Sequence, residues 1–215
     1  QGGNLLVAPN RVDVDMSSGY NMGWTINTGL ESWLLKYGIQ VNENFVLDVN
    51  AVTVMVSMQQ GPFTVQQPLA FPYIPQVNNF GDHPVTGGLE QLVMNFVSSI
   101  DYTGDSALTY TPLLLSSEMS ATRPALTYID LGYQWTENDF PLSQLTLGAA
   151  LEGNLGSVPG RMVVIADGNF PVAESQQQVQ PDNVNLLVNS IDWLSDDTGL
   201  LELRTRGATA RPIDE

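Results

Sequence analysis

The apolar positions of this chain change period several times, and each change marks an element. Leu5, Leu6, Val7 and Ala8 form a short continuous apolar run, as a strand buried on both faces does. Residues 9–23 read as a long loop carrying Asp13, Asp15, Gly19 and Asn21. Ile26, Leu30, Trp33, Leu34 and Tyr37 then recur at helical spacing, with Thr28 and Glu31 placed as a capping box and Gly38 as the C-terminal stop. Residues 45–48 predict another short strand. From Val52 the pattern alternates through Val54, Val56 and Met58, turns at Gly61-Pro62, and returns over residues 69–74 with a break at Pro72, which predicts a β-hairpin.

Helical spacing reappears at Val85, Leu89, Leu92, Val93 and Phe96, with Asp82 and His83 shaping the start of that helix. Leu113, Leu114 and Leu115 predict a brief buried strand. Residues 118–143, punctuated by Pro124, Gly132 and Pro141, read as an irregular surface excursion. Leu145, Leu147, Ala149 and Leu151 alternate as a strand, and residues 162–166 form an apolar run of the parallel-sheet type. After Pro181 a stripe of Val184, Leu187, Val188, Ile191 and Leu194 predicts an amphipathic helix buried along that stripe, and residues 200–203 predict a closing strand. Strands alternating with amphipathic helices define the α/β class: one layered domain over residues 1–215 with a mainly parallel, mixed sheet and a hairpin excursion over 51–75.

Charge narrows the function. The chain holds 7 Lys and Arg against 23 Asp and Glu, a net charge of −16 that comes from scarce bases more than from abundant acids. Lys36 is its one lysine and His83 its one histidine. Such a surface repels phosphate backbones and anionic headgroups, which argues against nucleic acid as a partner. With no cysteine there is no disulfide framework, thiol nucleophile or thiolate metal site. Nucleophile-elbow, phosphate-loop and dinucleotide patterns are also missing, so no cofactor or metal is expected and the chemistry points away from an enzyme. No apolar run approaches the ~20 residues of a membrane-spanning helix. Gln1-Gly2-Gly3 reads as a helix C-cap leading straight into a strand, so further β/α elements and a membrane tether are expected outside residues 1–215.

Candidate polar residues stand at strand ends. Asp167 closes the apolar run at 162–166, where open α/β sheets place their ligand crevice, and Gly168-Asn169 lets a ligand approach the backbone. The alternative is a structural turn held by the Asp167 side chain. Asp13 and Asp15 in the first long loop, and Glu152 before Gly153, are further ligand candidates; a carboxylate-based hydrolase would need two such acids facing one cleft. Trp24, Trp135, Tyr20 and Tyr133 are placed to stack on sugar rings or to anchor a protein partner. Asp196 lies at an acidic helix end that the macrodipole disfavours, so Arg204 and Arg206 are expected to pair with it as a structural clamp.

The order of short motifs resembles the extracytoplasmic auxiliary components of ABC transport systems, in particular the gliding-motility-associated (GldG-type) "substrate-binding" family. The residues that carry it are Gly2-Gly3-Asn4-Leu5-Leu6, Tyr37-Gly38-Ile39, Val46-Leu47-Asp48, His83-Pro84-Val85-Thr86, Pro112 to Ser117, Leu151-Glu152-Gly153, the segment 161–170, the helix at 183–194 and Arg211-Pro212. The resemblance implies a glutamine-amidotransferase-like or flavodoxin-like α/β fold and an envelope location. It also implies partners among the permease and ATPase subunits of an ABC transporter, or other envelope proteins. The amidotransferases use a cysteine nucleophile, which this chain lacks, and the family supplies no catalytic residue to carry over. Protein contacts are therefore the favoured mode of action, with a glycan- or small-ligand-binding module as the alternative.

Overall fold

The computed structural model describes residues 3–16, 19–60, 63–104, 107–156, 158–172 and 180–196. Its strands are β1 (Leu5–Val7), β2 (Val12–Asp15), β3 (Met22–Thr25), β4 (Ile39–Val41), β5 (Asn44–Asp48), β6 (Ala51–Gln60) and β7 (Phe63–Val77). They continue with β8 (Asn79–Phe80), β9 (Leu92–Val93), β10 (Ile100–Tyr102), β11 (Leu108–Leu115), β12 (Ser120–Pro124), β13 (Thr146–Asn154) and β14 (Pro159–Ile165). Among the described residues they are accompanied by the α-helices α1 (Leu30–Leu34) and α2 (Pro181–Ser195).

A five-stranded mixed sheet in the order β1-β14-β13-β11-β8 forms the centre of this α/β domain. The expectation of a mainly parallel sheet is corrected here. β1 pairs with β14 in parallel, Leu5 opposite Met162 through Val7 opposite Val164, whereas β14–β13, β13–β11 and β11–β8 are all antiparallel. The reason is local. β13 and β14 are separated by only a few residues around Gly156, too few for the crossover that parallel neighbours require.

Two apolar cores result. Met162, Val163, Val164, Ile165, Leu147 and Leu151 of the central strands pack with Val85, Leu92, Leu186 and Trp193. A second core gathers Val12, Phe45, Leu47, Phe71 and Tyr73 with Ala121, Ala125, Ile129 and Phe140. The last four belong to the stretch expected to be a surface excursion. It instead contributes β12, which pairs with β5, and it closes this second core. The expected loop over 9–23 likewise folds into the β2–β3 hairpin.

Helices differ most from expectation. The helix predicted over residues 26–37 shortens to α1 and a 3-10 turn at Leu35–Tyr37, ended by Gly38 in the left-handed region at φ 78°. A Cβ at Gly38 would lie 2.3 Å from the Gly104 backbone, so both the turn and the close approach require glycine. The helix predicted after His83 is a single 3-10 turn, Pro84–Thr86, followed by extended chain. Its backbone is claimed from elsewhere: the Glu90 and Gln91 N–H groups donate to Asp182 Oδ2, and the Val93 N–H donates to Asn183 Oδ1. Those two donors hold the Asp182 carboxyl below its usual range.

α2 forms where predicted but is rotated about its axis, so that of the predicted stripe only Leu187 and Leu194 pack against the core. Asn183, Leu186, Ser190 and Trp193 are buried, whereas Val184, Val188 and Ile191 are exposed. Asn183 is accommodated because its amide donates to Val93 O and Phe170 O at 2.7 Å each, and Ser190 Oγ donates to Leu186 O.

The start of α1 departs from the predicted capping box: its N-cap is Gly29, at φ 84° with no side-chain cap bond, but the Glu31 carboxylate still accepts from Thr28 and carries a pH dependence. Partial burial of Glu31 raises its pKa. Hydrogen bonds from the Thr28 N–H and hydroxyl, the Glu31 N–H and the Gly29 N–H outweigh this and lower it from 4.5 to about 2. A folded-state pKa below the unfolded value contributes stability that is present above pH 4.5 and lost as pH falls towards 2. Glu31→Gln is expected to cost about 1 kcal/mol at neutral pH, the scale of a lost helix cap. It should also flatten the acid limb of stability in chemical denaturation between those two pH values. An unchanged acid limb would remove Glu31 as its source.

Candidate functional site

β1 and β14 run in parallel, so their carboxyl ends open on the same side of the sheet, where α/β folds place their crevice. A cleft of about 300 Å³ lies there, lined by Asn10, Asp13, Asp15, Asn95, Phe96 and Asn169 among others. The chain leaving β1 supplies Asn10, whose Oδ1 accepts from the Gly168 N–H at 2.6 Å and so ties the two strand ends together. Asp13 and Asp15 enter from β2. The Asp13 carboxylate accepts from the Val14 N–H at 2.7 Å, and its cross-strand partner on β3 is the exposed Trp24.

Asp167 lies beneath the cleft rather than in its wall. Its side chain is 1% exposed. Oδ2 accepts from the Asn95 N–H at 2.9 Å and Oδ1 from the Asn169 N–H at 2.8 Å. The carboxylate thus pins the segment that carries Phe96, a non-glycine residue at φ 53°, against the end of β14. Asp167 acts as the structural turn residue that was the alternative at the sequence level, and Asn169 is the neighbour that reaches the cleft.

Glu152 belongs elsewhere. It stands on β13 opposite Arg161, whose Nε is 3.5 Å from Glu152 Oε2. Arg161 lies near the start of β14 and Asp167 just beyond its end at Ile165, and Ile165 alone is about 13 Å from Arg161 at strand spacing, so Asp167 and Glu152 do not flank one cleft. This separates the two acids that a glycosidase-type arrangement would need. Among the described residues no group of three or more His, Asp or Glu side chains is placed to hold a metal ion.

The clamp on the C-terminal end of α2 is made by a residue the sequence reasoning left aside. Arg161 Nη1 donates to Trp193 O at 2.8 Å and to the backbone carbonyl of Asp196 at 2.9 Å, and its guanidinium lies 5.0 Å from the Trp193 ring centroid. Arg204 and Arg206 lie outside the described residues. His83 closes the other side of Trp193, with ring centroids 4.7 Å apart, while its Nδ1 accepts from the Val85 N–H. The lone histidine therefore caps a turn and packs, as its neighbour Pro84 suggested. A second missed residue is Arg11, buried and bonded to Glu43, Ile26 O and Asn27 Oδ1. A buried arginine in a chain so poor in bases was the available signal. Among the other aromatic candidates, Trp135 packs against the second core and Tyr133, while Tyr20 is exposed.

Fold and cleft together define an α/β domain with an amide-rich crevice at the shared carboxyl end of two parallel strands. Residues 1–195 match the family model described as an ABC-type uncharacterized transport system. The chain belongs to that family, the auxiliary components of ABC transport systems. A search of curated proteins finds no match to it.

Proposed function

We propose that residues 1–215 are a non-catalytic, extracytoplasmic domain of a gliding-motility-associated auxiliary subunit, acting through contacts at the cleft. The domain works with a permease–ATPase assembly, and its direct contacts outside the cytoplasm are with the permease or with other envelope proteins. The observation that carries this reading is the state of Asp167. The acid best placed for chemistry by sequence has both carboxylate oxygens engaged by backbone N–H groups and is buried under the cleft, leaving amides and the flanking Asp13 and Asp15 at the surface. That surface suits recognition more than proton transfer, since a general acid or base must reach its substrate.

The same reading holds the domain at the membrane through segments outside residues 1–215. Two adjacent features support additional β/α structure beside it. β1 is the last strand on its side of the sheet, with one edge unpaired among the described residues. The exposed Val184, Val188 and Ile191 of α2 form an apolar flank of the helix that packs over β1 and β14.

A photo-crosslinking side chain at Asn169 or Asp13, introduced into the native protein in its membrane, tests the proposal. Crosslinks to a transporter subunit, made on the face protected from cytoplasmic protease, are expected. Crosslinks confined to cytoplasmic proteins would sink both the location and the partner. The cleft also favours a second reading as a glycan site, because amide donors and carboxylate acceptors beside Phe96 match hydroxyls and a sugar face. A thermal shift with a neutral oligosaccharide, abolished by Asn169→Ala, would favour that reading over protein contacts.

A further inference from the structure

The β6–β7 hairpin has a chemistry unlike the rest of the molecule. Residues 49–81 contain no Asp, Glu, Lys, Arg or His, in a chain of net charge −16. The register of the hairpin breaks between Ala51 opposite Pro75 and Thr53 opposite Ala70. The extra residues on β7 put Phe71 and Tyr73 into the second core. Beyond this bulge the two strands pair only with each other among the described residues, from Thr53 opposite Ala70 to Gln60 opposite Phe63, with Val54 at the base still packed against the second core. Eight residues of strand make an arm about 26 Å long.

Cross-strand register places Val54, Val56, Leu69, Val65 and Phe63 on one face of this arm. Phe63 is 71% exposed and Val65 41%, and Met55 on the other face is 60% exposed. The strand order β6-β7-β9 leaves the outer edge of β6 unpaired among the described residues. β7 carries Pro68, Pro72 and Pro75, which remove backbone donors, whereas β6 contains no proline and keeps all of them. Proteins blunt open edges with charge, proline or cover, and β6 has neither charge nor proline. A two-stranded ribbon is also marginal by itself, and further strands on its edge stabilise it.

We infer that β6 is an association edge, which pairs antiparallel with β6 of a second copy of this chain and joins two hairpins into one four-stranded sheet. Self-pairing suits the sequence, because a strand paired antiparallel with itself about a two-fold axis keeps like faces together and places Val54 and Val56 of both copies on one apolar face. Charge permits the same occupant. Two strongly acidic bodies repel, and the charge-free arm lets them join while its length, above the ~8 Å screening length of physiological salt, holds them apart. A lipid surface fits less well, since hydrocarbon offers no partners to the open row of backbone donors. This inference does not depend on the transport reading.

Sedimentation velocity on residues 1–215, from micromolar to submillimolar concentration, tests it. A monomer–dimer equilibrium is expected for the unmodified chain. The exposed pair Met55→Lys and Ser57→Lys should weaken the dimer by about tenfold or more, roughly 1.4 kcal/mol, with thermal stability unchanged. Because the chain has no cysteine, Ser57→Cys and Thr53→Cys give an independent readout through intermolecular disulfides formed under mild oxidation. A chain that stays monomeric throughout, a dimer of equal strength in the lysine variant, or sedimentation with lipid vesicles in place of self-association would each overturn the inference.

Discussion

Trp193→Ala is expected to lower the unfolding free energy by about 3–5 kcal/mol, the range for emptying a buried indole site. Trp193 is 1% exposed and lies between the His83 ring and the Arg161 guanidinium. Removing it opens a cavity and takes away the edge-on contact with His83 and the ring face over which the Arg161 guanidinium lies. The loss should spread along α2, because the Arg161 donors that close the last turn of the helix are positioned by the same contact. Trp193→Phe keeps part of the volume and the ring, and about half the effect is expected. Urea denaturation of the two variants measures both numbers. A loss below 1 kcal/mol for the alanine variant would mean that Leu186 and the polar contacts of Asn183 suffice to dock the helix.

Asp167→Ala should cost about 3 kcal/mol, because it strands two N–H groups, those of Asn95 and Asn169, that now share its carboxylate. The effect has a local signature that distinguishes it from general destabilisation. Hydrogen exchange at the Asn95 and Asn169 amides should accelerate, while exchange on β13 follows the global stability change alone. Asp167→Asn retains one acceptor but turns an NH2 group towards a donor, so a smaller loss with protection kept at one of the two amides is expected. Unchanged exchange at both amides would disconnect Asp167 from the wall of the cleft.

Local rules made several elements legible. The apolar runs of β1, β5 and β14, the alternating start of the β6–β7 hairpin, and the Thr28, Glu31 and Gly38 boundaries of the first helix all depend on residues within a few positions of one another. The errors arise where distant residues decide. The spacing of Val85, Leu89 and Leu92 is helical, yet Gly87-Gly88 interrupts it and the side chains of Asp182 and Asn183, about 90 positions away, take the backbone donors. The phase of α2 misleads for a related reason. Asn183 and Ser190 look like solvent-facing residues until their partners in the 90–93 segment and in the helix itself are known.

The candidate site was legible as a position more than as a list of groups. The end of β14 was identified correctly as a strand end with a crevice. Asp13, Asp15 and Asn169 do gather there, whereas Asn10 and Asn95 were missed because they come from connections with no periodic signal, and Phe96 because it read as a buried position of a helix that does not form. Glu152 stands apart from them, because a strand end in sequence does not say which end of the sheet it occupies. In a sheet whose neighbours are mostly antiparallel, consecutive strands finish at opposite sides.

The pairing of β1 with β14 also sets an order of events during synthesis. Residues 5–7 have no partner strand until residues 162–164 have been made. The β13–β14 hairpin, by contrast, brings together segments only a few residues apart. Contacts of such large sequence separation carry a loop-closure cost that local hairpins avoid. Among the strands of this sheet β1 is therefore separated longest from its partner, because residues 8–161 are made between Val7 and Met162. The parallel edge that shapes the mature cleft thus depends on an apolar segment that stays without this neighbour until β14 has been made.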